Sequence, residues 1–194
     1  MERRDVLKYT ALFLGAGLST GTIAAVMSGC KADTSDGWVP AFLTDAEAEF
    51  IRELGETILP KTKTPGAKDA QVDRFLDAIR PLRFTTDENA QFKTKLADFM
   101  QLASAELGND FVKVPDTKKL EWVTAVDKDS YALVKDNLNS QAGERPFYLS
   151  LKEQILAGYF SSEVVAKEYF AFDPIPGTYK GCIPYADVGK SWAL

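Results

Sequence analysis

The chain has 194 residues, a formal net charge of −5 and no histidine. Without histidine, Ser-His-Asp and Cys-His catalytic systems, ordinary zinc enzymes and histidine-ligated haem are excluded. No C-x-x-C-H and no G-x-G-x-x-G occur, so the chain carries neither a c-type haem attachment motif nor a dinucleotide fingerprint. An acidic chain without lysine and arginine clusters is also a poor nucleic-acid binder.

Residues 1–29 have the pattern of an export signal. Arg3 and Arg4 stand before an apolar residue and a lysine, as in the twin-arginine consensus. A mildly apolar region from Tyr9 to Met27 follows, diluted by glycine, serine and threonine. The pattern predicts twin-arginine export. An uncleaved membrane anchor is the alternative, because this region is long enough to span a bilayer.

A cysteine, Cys30, closes the apolar region. The small residues Ser28 and Gly29 directly before it resemble a bacterial lipoprotein cleavage box. This predicts that Cys30 becomes the lipid-bearing first residue of an exported lipoprotein, anchored to the membrane on the periplasmic side. The alternative is an ordinary thiol. Residues 30–43 then predict a polar tether, and residues 44–194 the folded domain.

The folded domain has helical periodicity and no convincing two-residue alternation, which predicts an all-α bundle of five or six helices. Caps and prolines place helix starts at Thr44, Asp69, Thr85, Asp116 and Pro146, and helix ends at Pro60, Pro81 and Gly108. The apolar stripes predict a core that includes Phe50, Ile51, Leu54, Val72, Leu76, Phe92, Leu96, Phe99, Leu120, Val123, Tyr131, Tyr148, Leu151 and Ile155. Trp122 is also expected in the core.

The last part of the chain, residues 172–194, cannot continue a helix. Its prolines and glycines interrupt it, yet it is rich in large apolar side chains. These apolar groups are too numerous for a disordered tail, so this segment, the C-terminal strap, must lie on a surface. It either packs on its own domain or docks on another protein.

Two groups of residues resemble one known family. The first runs from Gly158 to Glu163 and continues with Pro176-Gly177-x-Tyr179-x-Gly181-Cys182-Ile183-Pro184. The second is Ile58-Leu59-Pro60, then Thr64-Pro65-Gly66-Ala67, Val72 and Phe75. In order and spacing they resemble the gluconate 2-dehydrogenase subunit 3 family. These proteins are small accessory subunits of membrane-associated, flavin-dependent sugar and polyol dehydrogenases.

The resemblance implies a non-catalytic subunit without cofactor, metal or catalytic residues of its own. The partner implied is a large flavoprotein of the glucose-methanol-choline (GMC) type that holds FAD, with a c-type cytochrome carrying haem c as a third subunit. The chain would aid the export, anchoring and stability of the flavoprotein, which alone selects a gluconate- or glucose-type substrate. The alternative is a free-standing lipoprotein that binds carbohydrate through exposed tryptophans.

Cys182 is the one cysteine of the strap, and the sequence leaves two roles open for its thiol. If Cys30 is acylated in an oxidising compartment, Cys182 has no partner within the chain. It then forms a disulfide with another chain or stays a buried, inert thiol. The docking residues predicted on the strap are Pro176, Tyr179, Cys182, Ile183 and Tyr185, with the tyrosines and isoleucine as apolar anchors.

Overall fold

The computed structural model describes residues 37–140, 145–175, 177–178 and 181–193, and seven α-helices account for most of these residues. The helices are α1 (Asp45–Ile58), α2 (Val72–Arg83), α3 (Thr86–Leu107), α4 (Asp116–Ser140), α5 (Phe147–Phe160), α6 (Glu163–Glu168) and α7 (Tyr185–Val188). A single 3₁₀ turn, Phe111–Lys113, joins α3 to α4. Within the described ranges there is no β-strand beyond one isolated bridge, so the predicted all-α fold is confirmed.

Local capping signals set the ends of α1 and α3 as predicted. The Thr44 hydroxyl accepts from the backbone N–H of Glu47, and the Glu47 carboxylate accepts from the N–H of Thr44 at 2.7 Å. Thr85 and Glu88 repeat the same reciprocal pair at α3. Gly108 ends α3 in the left-handed conformation, at φ 67°. The two N-caps satisfy backbone N–H groups that the first helical turn leaves without a partner, and the left-handed glycine lets the chain turn away at the end of α3.

The prediction that Asp69 caps α2 was wrong. The N-cap is Gln71, in the left-handed region at φ 52° and without a side-chain cap. Asp69 instead stabilises the preceding loop, because its carboxylate accepts from the Gly66 N–H at 3.0 Å and pairs with Lys61 at 3.0 Å. A carboxylate near a helix start is thus used for the loop geometry rather than for the helix.

The prediction that Pro81 ends α2 was also wrong. The helix continues to Arg83, and the N–H of Phe84 still donates to the carbonyl of Arg80 at 3.1 Å. Proline removes one backbone donor, and so close to the helix end the remaining turn closes without it.

The core lies where α1, α2, α4 and α5 pack together, with α3 across α1, α2 and α5. The most deeply buried side chains, all within Pro40–Leu194, are Phe50, Ile51, Leu54, Val72, Leu76, Leu96, Phe111, Leu151, Ile155 and Val165. Aromatic rings fill its centre: Phe99 lies 5.9 Å from Phe50, 5.4 Å from Trp122 and 5.9 Å from Tyr148 between ring centroids. The predicted stripes and the predicted burial of Trp122 are therefore confirmed in large part.

Two residues of the predicted stripe on α4 are exposed, Tyr131 by 54% and Leu120 by 55%, so their predicted burial was wrong. Lys119, the neighbour of Leu120, is buried instead. The Lys119 ammonium donates to the Glu53 carboxylate at 2.8 Å and lies 3.3 Å from Asp116. The inward face of α4 thus keeps the predicted Trp122 and Val123 but includes Lys119 instead of Leu120, and the ion pair with α1 compensates the burial of the lysine.

Buried charges of α2 also hold the bundle together. The Asp77 carboxylate accepts from the N–H groups of Ala41, Phe42 and Leu43 at 2.7–2.9 Å. These bonds fix the chain before α1 onto α2.

Every buried side-chain nitrogen or oxygen among the described residues has a hydrogen-bond partner. None of the helices in the described ranges combines the length and hydropathy that a membrane-spanning helix needs.

A second buried cation, Arg80, joins three helices. Its guanidinium lies 4.0 Å from the ring centroids of both Phe84 and Phe92. It donates to Asn89 at 3.1 Å and to Gln154 at 3.2 Å. Stacking and hydrogen bonding together compensate the loss of water around the charge. The Arg80 side chain thus links α2, α3 and α5.

Candidate docking site

Five large apolar side chains in the described part of the C-terminal strap are exposed to solvent. Ile175 is 84% exposed and Tyr185 71% exposed. Phe172, Ile183 and Trp192 are also exposed, each by roughly half. Five large apolar groups that are 43–84% exposed thus lie among the described residues of one short segment, and such clustering is typical of an interaction surface.

Both ends of the strap are joined by backbone hydrogen bonds. The Ala171 N–H donates to the carbonyl of Ser191 at 2.8 Å, and the Ala171 carbonyl accepts from the N–H of Ala193 at 3.0 Å. Together they form an isolated parallel bridge between Ala171 and Trp192. The Lys190 ammonium adds a bond to the carbonyl of Glu168 at 3.2 Å. The strap is thus a loop that returns to its starting point.

One helical turn, α7, organises the second half of this loop. Pro184 precedes it with a φ of −57°, and Gly189 ends it at φ 70°, a conformation that favours glycine. The Gly189 N–H donates to the Tyr185 carbonyl at 2.7 Å. The Tyr185 hydroxyl in turn donates to the Gly189 carbonyl at 3.2 Å. The Tyr185 ring is therefore held on the turn while remaining in solvent.

A row of aromatic rings connects the strap to the core. Tyr159, Phe160, Phe170 and Tyr169 follow one another with centroid separations of 5.2, 5.8 and 5.1 Å. The row begins at buried Tyr159 and ends at exposed Tyr169. Aromatic contacts at such separations are favourable beyond their buried area. The base of the strap is consequently fixed on α5 through side chains.

The two groups of residues that carry the family resemblance meet at this base. The Tyr159 hydroxyl donates to the carbonyl of Pro65 at 2.7 Å, and burial raises the pKa of this hydroxyl. Gly158 lies against Phe75, so closely that a Cβ there would be 2.6 Å from the Phe75 ring. The loop after α1 and the end of α5 are thus built against each other, and these motif residues act in packing.

The predicted site residues divide between described and undescribed parts of the chain. Cys182 is exposed and forms no disulfide within the described residues, and Ile183 and Tyr185 are exposed beside it. Pro176 and Tyr179 lie outside the described residues, as do the export and lipidation residues Arg3, Arg4 and Cys30.

Sequence reasoning missed the backbone contacts that close the strap. Main-chain donors and acceptors are present at almost every residue, so neither Ala171 nor Ala193 carries a recognisable signal. Lys190 carries no sequence signal either, because its acceptor, the carbonyl of Glu168, lies 22 residues away in the chain.

Shallow clefts elsewhere on the bundle have a different character. One of about 310 Å³ lies between α2 and α5, with Phe75, Ile79, Phe84 and Ala157 in its wall. Another of about 330 Å³ beside α1 is lined mainly by charged side chains, among them Glu53 and Lys68, which are already ion-paired. No group of three or more His, Cys, Asp or Glu in the described ranges could hold a metal ion.

This fold and site define the class of protein: a small helical domain that ends in a closed, solvent-exposed aromatic loop. The family model of gluconate 2-dehydrogenase subunit 3 matches residues 45–177, from the first residue of α1 into the strap. The chain belongs to this family, and the family's name describes a subunit of gluconate 2-dehydrogenase. No curated protein and no solved structure matches the chain significantly.

Proposed function

We propose that the chain is the non-catalytic accessory subunit of a membrane-associated, flavin-dependent sugar or polyol dehydrogenase. Its partner is a GMC-type flavoprotein with FAD, which passes electrons to a c-type cytochrome with haem c. The flavoprotein selects the substrate, of the gluconate or glucose type. The observation that carries the proposal is the exposed strap, combined with membership of a family named for a dehydrogenase subunit.

The exposed side chains of the strap are of the types that are common in protein–protein interfaces. Aromatic and aliphatic anchors usually dominate the energetics of an interface, and Ile183 and Tyr185 are available for that role. The prolines in the strap reduce the conformational freedom that binding would remove. Tyr179 and Pro176 belong to the same proposed surface from their place in the sequence.

Cys182 is proposed to lie at this contact and to form a disulfide with the flavoprotein. Its exposed thiol can reach a second chain, whereas a buried thiol could not. The bond would add a covalent link without setting specificity. Cys182→Ser should then remove a band that reductant also removes on a gel, while Tyr179→Ala should weaken the complex even in reductant. A complex that is unchanged in both variants would contradict this part of the proposal.

Export and anchoring are proposed from the first thirty residues. Arg3 and Arg4 direct twin-arginine export, and Cys30 receives the lipid, so that residues 30–43 tether the domain to the membrane. Replacing both arginines by lysine should leave the precursor in the cytoplasm. Mass spectrometry of the mature N-terminus should find lipidated Cys30, and an unmodified Cys30 or a different first residue would contradict the assignment.

Co-purification tests the central proposal. The tagged chain, expressed with its flavoprotein, should elute with a much larger chain and with the yellow absorbance of flavin. The same preparation of Tyr185→Ala, purified in reductant so that no disulfide holds the complex, should lose most of the large chain, since an apolar anchor is removed. Tyr131→Ala is a matched control, because Tyr131 is similarly exposed but lies on α4. Elution of the chain alone under all conditions would contradict the proposal.

The second candidate is a carbohydrate-binding lipoprotein. Trp192 favours it, since its indole is 53% exposed and available for stacking on a sugar. Trp122 does not, because it is buried and its indole N–H donates to Glu106 at 2.6 Å. Sugar titrations monitored by tryptophan fluorescence separate the two candidates: a saturable change in the isolated chain that Trp192→Ala abolishes supports carbohydrate binding.

A further inference from the structure

The backbone contacts at the two ends of the strap form one compact element, which we name the clasp: Glu168 and Ala171 on one side and Lys190–Ala193 on the other. Ala171 uses both of its main-chain groups, donating to Ser191 and accepting from Ala193. Lys190 adds the bond to the Glu168 carbonyl. Three hydrogen bonds therefore hold the end of the chain beside the end of α6.

The clasp acts on the loop between its two sides. A segment with two free ends or one free end samples many conformations, and binding must remove that freedom. When the ends are already joined, the loop has lost much of this freedom before a partner arrives. The turn of α7 and its hydrogen bonds at Gly189 reduce the freedom further, inside the closed loop.

The clasp also stands on a fixed base. Phe170, directly before Ala171, contacts Phe160 of α5 at a centroid separation of 5.8 Å, and Val165 of α6 is fully buried. The orientation of the loop relative to the bundle is thus set at the clasp. The clasp itself lies at the surface and buries little of the core, so its loss should leave the bundle folded.

We infer that the clasp is a positioning element of the docking surface: the last residues of the chain hold the strap in the conformation that binds the flavoprotein. The inference rests on the proposed function of the strap. It assigns to Ala193 and Lys190 a role in partner affinity that their side chains, an alanine and an exposed lysine, do not suggest.

The decisive variants differ only in a backbone donor. Ala193→Pro removes the N–H that donates to Ala171, and Ala193→Gly retains it. In reductant, the dissociation constant for the purified flavoprotein should rise about tenfold in Ala193→Pro and stay within about twofold in Ala193→Gly, as expected for the loss of one hydrogen bond and some pre-organisation. The thermal midpoint of the free subunit should be the same in all three proteins.

Amide hydrogen exchange of the free subunit supplies a readout independent of binding. The Ala171 amide should exchange slowly in the wild type and in Ala193→Gly, and faster in Ala193→Pro, because the bridge opens. Equal affinity of wild type and Ala193→Pro, or equal weakening by proline and glycine, would overturn the inference. An Ala171 amide that exchanges at the same rate in all three proteins would overturn it as well.

Tyr185→Ala separates failure of the clasp from failure of the docking proposal. If Tyr185→Ala weakens the complex and Ala193→Pro does not, the strap docks but the clasp does not position it. If neither variant changes the affinity, the strap is not the docking surface, and the inference falls with that proposal.

Discussion

The helical bundle and the strap distribute polarity in opposite ways. The bundle buries charges, among them Asp77, Arg80 and Lys119, and gives each of them hydrogen-bonding partners. The strap exposes apolar side chains, such as Ile175 and Tyr185, and joins its ends by backbone hydrogen bonds. A buried charge needs a partner, and the described bundle supplies one to each of these three charges. An exposed apolar cluster gains by being covered, which is the role that we propose for the partner protein.

The largest expected difference between the two regions is in stability. Leu151→Ala removes a fully buried side chain from α5 and should lower the free energy of unfolding by about 3 kcal/mol. Ile183→Ala removes a similar side chain from the strap and should lower it by less than about 0.5 kcal/mol. Urea denaturation of both variants measures this. A comparable loss in Ile183→Ala would place the strap in the core and remove the contrast.

Asp77 tests whether the buried charges of the bundle are as well satisfied as the contacts suggest. Asp77→Ala leaves the N–H groups of Ala41, Phe42 and Leu43 without their acceptor, so the free energy of unfolding should fall by about 2 kcal/mol. Asp77→Asn is the matched control, because it keeps one acceptor oxygen and should lose less. Equal losses in the two variants would show that the three bonds do not carry the effect.

Glu53 tests the ion pair between α1 and α4. Glu53→Gln leaves the buried Lys119 ammonium with the exposed Asp116 as its remaining carboxylate and should lower the free energy of unfolding by about 1.5 kcal/mol. Adding Lys119→Met should recover part of this loss, because the uncompensated charge is then gone. If the double variant loses as much free energy of unfolding as the two single variants lose together, Glu53 and Lys119 are not coupled.

The same pair predicts a dependence on pH. Burial alone would raise the pKa of Glu53, but the hydrogen bonds from Lys119 and Lys68 outweigh it and hold the pKa below its ordinary value of 4.5. The pair therefore contributes stability above about pH 4.5, and this contribution is lost as the pH falls through the lowered pKa. In acid titrations of stability, Glu53→Gln should lose less free energy of unfolding than wild type does over that range.

The smallest expected effect on stability comes with the largest on association. Tyr185→Ala should leave the thermal midpoint of the free subunit unchanged, because the ring is mostly in solvent. It should nevertheless weaken binding to the flavoprotein, since the ring is a proposed anchor. Calorimetry of the free subunit and a pull-down in reductant check the two halves. A lower thermal midpoint with unchanged binding would show that Tyr185 stabilises the subunit itself and does not contact the partner.

Features that depend on residues close in sequence were predicted, and features that depend on residues far apart in sequence were not. The caps at Thr44 and Thr85 and the turn at Gly108 depend on residues three or fewer apart, and all three were predicted. The burial of Lys119 was not, because its partner Glu53 lies 66 residues away in sequence. The composition of the strap indicated that it needed a surface, but only the coordinates show that this chain leaves its described apolar groups exposed and joins its ends at Ala171.

Hydrogen exchange of the subunit, alone and in its purified complex with the flavoprotein, tests the central claim most directly. We expect amides of the described strap residues 181–193 to exchange more slowly in the complex. Amides in the interior of α1 and α5 should be unchanged, because these helices are already complete in the free subunit. Slower exchange confined to another face of the bundle, with the strap unchanged, would contradict the account.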